Sequence, residues 1–140
     1  MAVHVLAVLA YKEGSPVTSG MLAASVNTHP VVIRRLLLAL QTAGFVKTGR
    51  GAGSGSALTR APVRINLAEV YRAVESEEPF ALHSKRPSQA CPVGQCIQAA
   101  LGKVFVSAEA ALERELRKTS LAQILQTVRP CCSVSGRSRK

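Results

Sequence analysis

The stretch THPVVIRRLLLALQTAGFVKTGR, residues 28–50, decides how the rest of the 140-residue chain is read. Val32, Leu36 and Leu40, with Val31, Leu37 and Ala43 alongside, recur at helical spacing and predict a helix with one face in a core. Arg34, Arg35 and the helix start at Thr28, His29 and Pro30 are left to point away from that core. Gly44 stops the helix, and Phe45 and Val46 open an extended segment. Just upstream, Thr18 or Ser19 caps a shorter helix running to about residue 25, which is expected to bury Met21, Leu22 and Val26. Asn27 and Thr28 form the turn between the two helices, with Thr28 as the second cap and Pro30 tolerated in the first turn. A short helix, a tight turn and a helix with a basic outer face make up the helix-turn-helix unit.

On the other side, residues 45–48 and 56–59 are short extended runs around a Gly/Ser stretch at 49–55. A flexible linker is the alternative to a hairpin, but apolar segments resume at once on both sides, which favours the hairpin. A basic hairpin after such a helix is a wing. At its tip Arg50, set among Gly51, Gly53 and Ser54, can approach a phosphate or enter a minor groove.

The remaining elements support that unit. Residues 2–11 predict a first helix with Val5, Leu6, Val8 and Leu9 inward, followed by a turn at 13–16. Asn66-Leu67-Ala68-Glu69 is a capping-box pattern opening a helix to about residue 74, with Leu67, Val70, Tyr71 and Val74 on one side. Residues 76–90 are the longest loop. Residues 95–118 hold the longest helical pattern, in which Ile97, Leu101, Val104, Phe105, Ala108, Leu112 and Leu116 form a narrow apolar seam. Such a helix reaches about 36 Å, more than a small winged domain needs, so the seam is expected to lie between subunits. A short helix over 120–127 follows, and disorder is expected from Arg129 onward. The fold class is therefore mainly α with a small β-hairpin. A winged helix-turn-helix domain (1–75), a cysteine-bearing loop (76–94), a dimerisation helix with a short terminal helix (95–128) and a disordered basic tail (129–140) complete the expected organisation.

Charge points to the partner. The net charge is +10, and its placement is uneven: residues 1–60 carry six Lys/Arg against one acid, 61–128 eight against seven, and 129–140 four against none. An excess on the helix-turn-helix half and the tail suits a polyanion, here double-stranded DNA. No apolar run reaches the length of a membrane span, and the N-terminus lacks the basic start and cleavage site of a signal peptide, so no membrane partner and a cytoplasmic location are expected.

The four cysteines form a second candidate site. Cys91 and Cys96 bracket the start of the long helix, where the helix dipole can lower a thiol pKa. They read as inert thiols, a redox pair or two metal ligands. An iron–sulfur cluster takes four ligands; His83, or Cys131 and Cys132, would have to supply the rest. A cluster is disfavoured, and no cofactor or metal is expected. Adjacent Cys131 and Cys132 are poorly placed to bond to each other. No carboxylate pair, metal-binding helix motif or Ser/His/Asp order appears, and the glycines of GRGAGSGS lack the Lys-Ser/Thr of a phosphate loop, so an enzyme is not expected.

The run from VNTHPVVIRRLL through AGFVKTGRGAG to INLAEVYRAVE, followed by CPVG and a long helix, resembles the Rrf-two family of bacterial winged-helix transcriptional regulators. The resemblance covers about residues 2–127. It implies a dimeric DNA-binding regulator, often a repressor, with the helix after VNT in the major groove and the wing beside it. Some members hold an iron–sulfur cluster through three cysteines before the long helix, and others respond to redox or ligand signals differently. This chain departs twice: the wing reads GAGSGSAL rather than a paired glycine and an aromatic, and the first helix starts late. The expected DNA-contacting residues are Thr28, His29, Pro30, Val31, Arg34, Arg35, Arg50, Gly51, Gly53 and Ser54. The expected function is operator binding by a homodimeric repressor; the alternative is a winged-helix module that dimerises without reading DNA.

Overall fold

The computed structural model describes residues 1–49, 55–75, 79–82 and 84–134, with side chains through Val128. Six helices and one hairpin follow in order: α1 (Ala2–Tyr11), α2 (Ser19–Val26), α3 (Pro30–Thr42), β1 (Val46–Thr48), β2 (Ser56–Leu58), a 3-10 turn (Pro62–Arg64), α4 (Leu67–Val74), α5 (Pro92–Leu116) and α6 (Leu121–Val134). This is the expected architecture of a helix-turn-helix followed by a two-stranded antiparallel wing and a long helix.

Local chemistry explains most boundaries. Thr18 caps α2 by accepting the Met21 N–H at 3.2 Å, and Asn27 ends it in the left-handed conformation that Asn tolerates. Gly44, at φ +74°, turns the chain out of α3. β1 pairs with β2 in the register Val46↔Leu58, and Ser56 N–H donates to Val17 O at 2.8 Å, adding a third edge to the wing base. Gly55 makes this approach possible: a Cβ there would lie 2.3 Å from the Val17 nitrogen.

The core sits where α1, α2, α3, the wing base, α4 and α6 meet. Val5, Leu6, Leu22, Ile33, Leu40, Ile65 and Leu121 are its most buried members. Three expectations change here. On α3 the buried stripe is Ile33, Leu37 and Leu40, while Val31 and Val32 face outward and Leu36 is half-buried. Three consecutive β-branched residues leave the phase of the helix undecided by periodicity, and packing into the common core selects Ile33. On α2, Leu22 and Ala23 are buried while Met21 is exposed. The cap of α3 is His29, whose Nδ1 accepts the Val31 N–H at 3.3 Å, rather than Thr28.

The C-terminal half also differs in extent. α5 begins at Pro92, three residues early, because proline suits the first helical position. α6 continues through Val134, where disorder from Arg129 was expected. The stripe of Leu121, Ile124, Leu125 and Val128 extends the helical period and packs α6 on α1. A two-bond clip fixes the α5–α6 corner to the entry of α4: Leu67 N–H donates to Thr119 O at 3.0 Å and Leu121 N–H to Ile65 O at 2.8 Å. No helix among the described residues is long and apolar enough to cross a membrane.

Candidate nucleic-acid interface

The interface is built on the outward side of α3. Successive helical residues are about 100° apart, so a core stripe at Ile33, Leu37 and Leu40 places Val31, Arg35, Leu38 and Thr42 on the opposite side. Val31 is 43% and Leu38 66% exposed, and both Arg34 and Arg35 are exposed. Thr28, His29 and Pro30 stand at the amino end of the same face, with His29 exposed and the other two half-buried. The structure thus brings together the six expected residues of the helix start. Arg50, Gly51, Gly53 and Ser54 lie outside the described residues.

The two arginines point differently. Arg34 lines a hollow of about 340 Å³ that it shares with Thr18 and Ser19 at the start of α2 and with Thr48 and Ser56 of the wing. Arg35 projects from the middle of the outer face. Neither forms an ion pair among the described residues, so both guanidinium groups are available to phosphate or base edges. Hydroxyls and the amino end of a helix around Arg34 suit a phosphate, whereas Arg35 between Val31 and Leu38 suits a base edge beside a thymine methyl. Leu38, Gln41, Thr18 and Ser19 were not anticipated as part of this surface. The cap at Thr18 was the one signal that could have suggested them.

A polar lattice holds the carboxyl end of α3. Arg60 donates to Glu69 Oε2 at 3.1 Å and to Ala43 O at 3.4 Å, and its guanidinium lies 5.0 Å above the Phe45 ring. Glu69 is also the last residue of the capping box, three after Asn66: its N–H donates to Asn66 Oδ1 at 3.0 Å, and its Oε1 accepts from Asn66 Nδ2 at 2.6 Å. Thr59 Oγ1 donates to Gly44 O. The wing base, the end of α3 and the start of α4 therefore share one set of bonds.

The long helix is attached lightly. None of its 25 residues is buried. Ile97, Leu101, Phe105, Ala108, Leu112 and Leu116 of the expected seam are half-buried, and Phe105 stacks on Phe80 with ring centres 5.4 Å apart. Val104 is 61% exposed and belongs with Val93, Ala100 and Ala111 to a neighbouring apolar stripe open to solvent. Arg72 to Glu113, at 3.3 Å, ties α5 to α4. Tyr71 lies in the same seam; burial, then Glu75, Glu109 and Glu113, push its phenol above the usual value.

Comparison with known proteins places this architecture. The family model Rrf2, described as "Iron-dependent Transcriptional regulator", matches residues 1–127. A curated relative, the candidate HTH-type transcriptional regulator YwnA of Bacillus subtilis (strain 168), is 41% identical over 126 residues, covering 89% of this chain and 92% of YwnA. The crystal structure of a candidate DNA-binding protein is 38% identical with a TM-score of 0.70, covering 89% of this chain and 95% of that one. A candidate transcriptional regulator from Lactobacillus plantarum is 27% identical with a TM-score of 0.76, covering 91% and 85%.

The family description names iron, and the donor set here can be tested against it. Cys91 caps α5 without a side-chain hydrogen bond, Cys96 lies in its second turn, and both thiols are exposed. Among the described residues no group of three or more His, Cys, Asp or Glu is placed to hold a metal ion. His83 and the side chains of Cys131 and Cys132 lie outside the described residues. Two thiols do not satisfy a four-ligand cluster, so the described residues do not fit one. What the sequence, the winged helix and the relatives share is a regulator that binds DNA rather than an enzyme: the chain belongs to the Rrf2 family of transcriptional regulators.

Proposed function

We propose that this regulator acts as a homodimer, reading a pseudopalindromic operator with the α3 helices of two copies and repressing transcription by occupying the promoter. The observation that carries the reading is the outer face of α3, where Arg34 and Arg35 stand exposed, with no ion pair among the described residues, beside exposed Val31 and Leu38. Guanidinium groups next to apolar side chains at a helix start match the acceptor and methyl pattern of the major groove. The wing and the start of α2 flank Arg34 and suit the phosphate backbone. Two such units related by a two-fold axis would meet half-sites about one helical turn apart.

Support for the second copy comes from α5. A helix of this length with no buried residue and an open apolar stripe through Val93, Ala100, Val104 and Ala111 leaves its burial unfinished within one chain. Cys91 and Cys96 stand at the start of this helix, so thiol oxidation there would bear on dimer geometry. Cys91 and Cys96 are five residue steps apart, about 7.5 Å along a helix axis, so an intramolecular bond requires the first turns of α5 to unwind. Recovery of bound genomic DNA, followed by nuclease protection of the enriched fragment, tests the reading. Two protected half-sites about one helical turn apart are expected; enrichment without sequence preference would instead support a module that dimerises without reading DNA.

A further inference from the structure

A second concave surface lies on the far side of the helix-turn-helix. Between α1 and α6 lies a groove of about 570 Å³ that includes no residue of α3. Val3, Ala7 and Val8 form one wall, and Ile124, Leu125 and Val128 the other. The polar groups are confined to a few positions: His4, Tyr11, Lys12 and Ser25. His4 Nε2 lies 3.2 Å from Ser25 Oγ, so the groove reaches from α6 across α1 to α2. No carboxylate lines it, and Lys12 makes no ion pair among the described residues.

An apolar trough of this volume, with Lys12 the one Lys or Arg among its described lining residues, has the form of a small-molecule site. Its chemistry selects among ligands. Apart from His4, Tyr11, Lys12 and Ser25 the lining is apolar, too few polar groups to match a sugar or a nucleobase, whereas an aliphatic or aromatic body satisfies the walls and Lys12 supplies the counter-charge for an acid group. We propose that this groove binds a small apolar carboxylate, with its hydrocarbon between Val8 and Val128 and its head at Lys12. The position suits an effector. α6 follows α5 directly and is clipped to Ile65, while α2 is the first helix of the helix-turn-helix. A ligand that spreads α6 from α1 changes how the dimerisation helix carries α2 and α3. This regulatory consequence rests on the reading of the chain as a DNA-binding repressor; the binding site itself does not.

Calorimetric titration of the full chain with decanoate, decan-1-ol and decyltrimethylammonium tests the site. Decanoate is expected to bind once per chain, with decan-1-ol weaker by roughly threefold to fivefold, the scale of one exposed charge contact, and the cation weakest. Lys12→Gln should bring decanoate and decan-1-ol to parity. Val8→Trp fills the trough and should weaken decanoate more than about tenfold, as loss of a ligand-sized apolar contact requires; Ala7→Leu serves as a second, milder filler should the tryptophan variant not fold. Absence of decanoate binding, or binding indifferent to both fillers, overturns the proposal. So does a wild type that ignores decanoate while the fillers convert it to a monomer, since the groove then belongs to a second copy. Decanoate should also change the wild-type affinity for an enriched genomic fragment. A ligand-free protein with no DNA affinity counts against the DNA reading alone, and calorimetry still decides the groove.

Discussion

The guanidinium of Arg60 stands 3.1 Å from the carboxylate of Glu69, joining the end of the wing to the first turn of α4. Both side chains are more than one-third exposed, so the ion pair alone contributes little. Its weight comes from what the two groups do besides. Arg60 also reaches Ala43 O at the end of α3 and covers Phe45, and Glu69 completes the capping box with Asn66. Asn66→Ala should therefore lower stability by about 1 kcal/mol, because the Glu69 N–H loses its capping acceptor and the Glu69 carboxylate its partner. Urea unfolding measures this, and a change within about 0.3 kcal/mol would contradict the assigned lattice.

Gly55 lies where the wing closes on the strand edge at Val17. A methyl group there would meet the Val17 nitrogen at 2.3 Å and the Pro16 carbonyl carbon at 2.7 Å, both backbone atoms that cannot rotate aside. Gly55→Ala is expected to destabilise by roughly 1–3 kcal/mol, the usual range for forced overpacking. Thermal unfolding should show the loss, and an unchanged midpoint would mean that the Val17–Ser56 bridge is not formed.

The phase of α3 can be tested by two neighbouring substitutions. Ile33 is wholly buried and Val32 is 41% exposed. Ile33→Ala should cost about 2–5 kcal/mol and Val32→Ala much less, because only the first opens a core cavity. The reverse ranking in denaturant titrations would restore the stripe that periodicity alone suggested.

That phase marks the limit of what the sequence carries. Caps and breakers act through adjacent backbone and were mostly legible: Thr18, Gly44 and the Asn66–Glu69 box each do what their spacing implied, although the cap of α3 falls on His29 and not on Thr28. The hairpin followed from two apolar runs around glycines. The run Val31, Val32, Ile33 was not decidable locally, since the choice depends on packing against other helices. The half-buried character of the α5 seam was likewise hidden, because Phe80 comes from a loop with no periodic signal to announce its stacking on Phe105. On the outer face of α3, the basic pair at Arg34 and Arg35 was apparent from the chain, whereas Leu38 looked like one more core leucine. The groove between α1 and α6 depends on how two helices distant in sequence pack, and nothing in either helix reveals it.

The open stripe on α5 supports a specific expectation for assembly. Val104→Glu places a charge on a side chain that is 61% exposed in one chain, so it should leave the folded chain unperturbed. If that stripe meets a second copy, light scattering should report monomers with an unchanged circular dichroism spectrum. A retained dimer mass would move the interface elsewhere.

The proposal that the outer face of α3 reads DNA stands on Arg34 and Arg35. It is tested most directly by fluorescence anisotropy of the Arg34→Ala, Arg35→Ala double variant on an enriched genomic fragment, titrated across salt. The predicted result is loss of specific binding with the fold intact, and a slope of log affinity against log salt that is shallower by about 0.9 for each phosphate contact removed. Equal affinity and an unchanged slope in the double variant would contradict it.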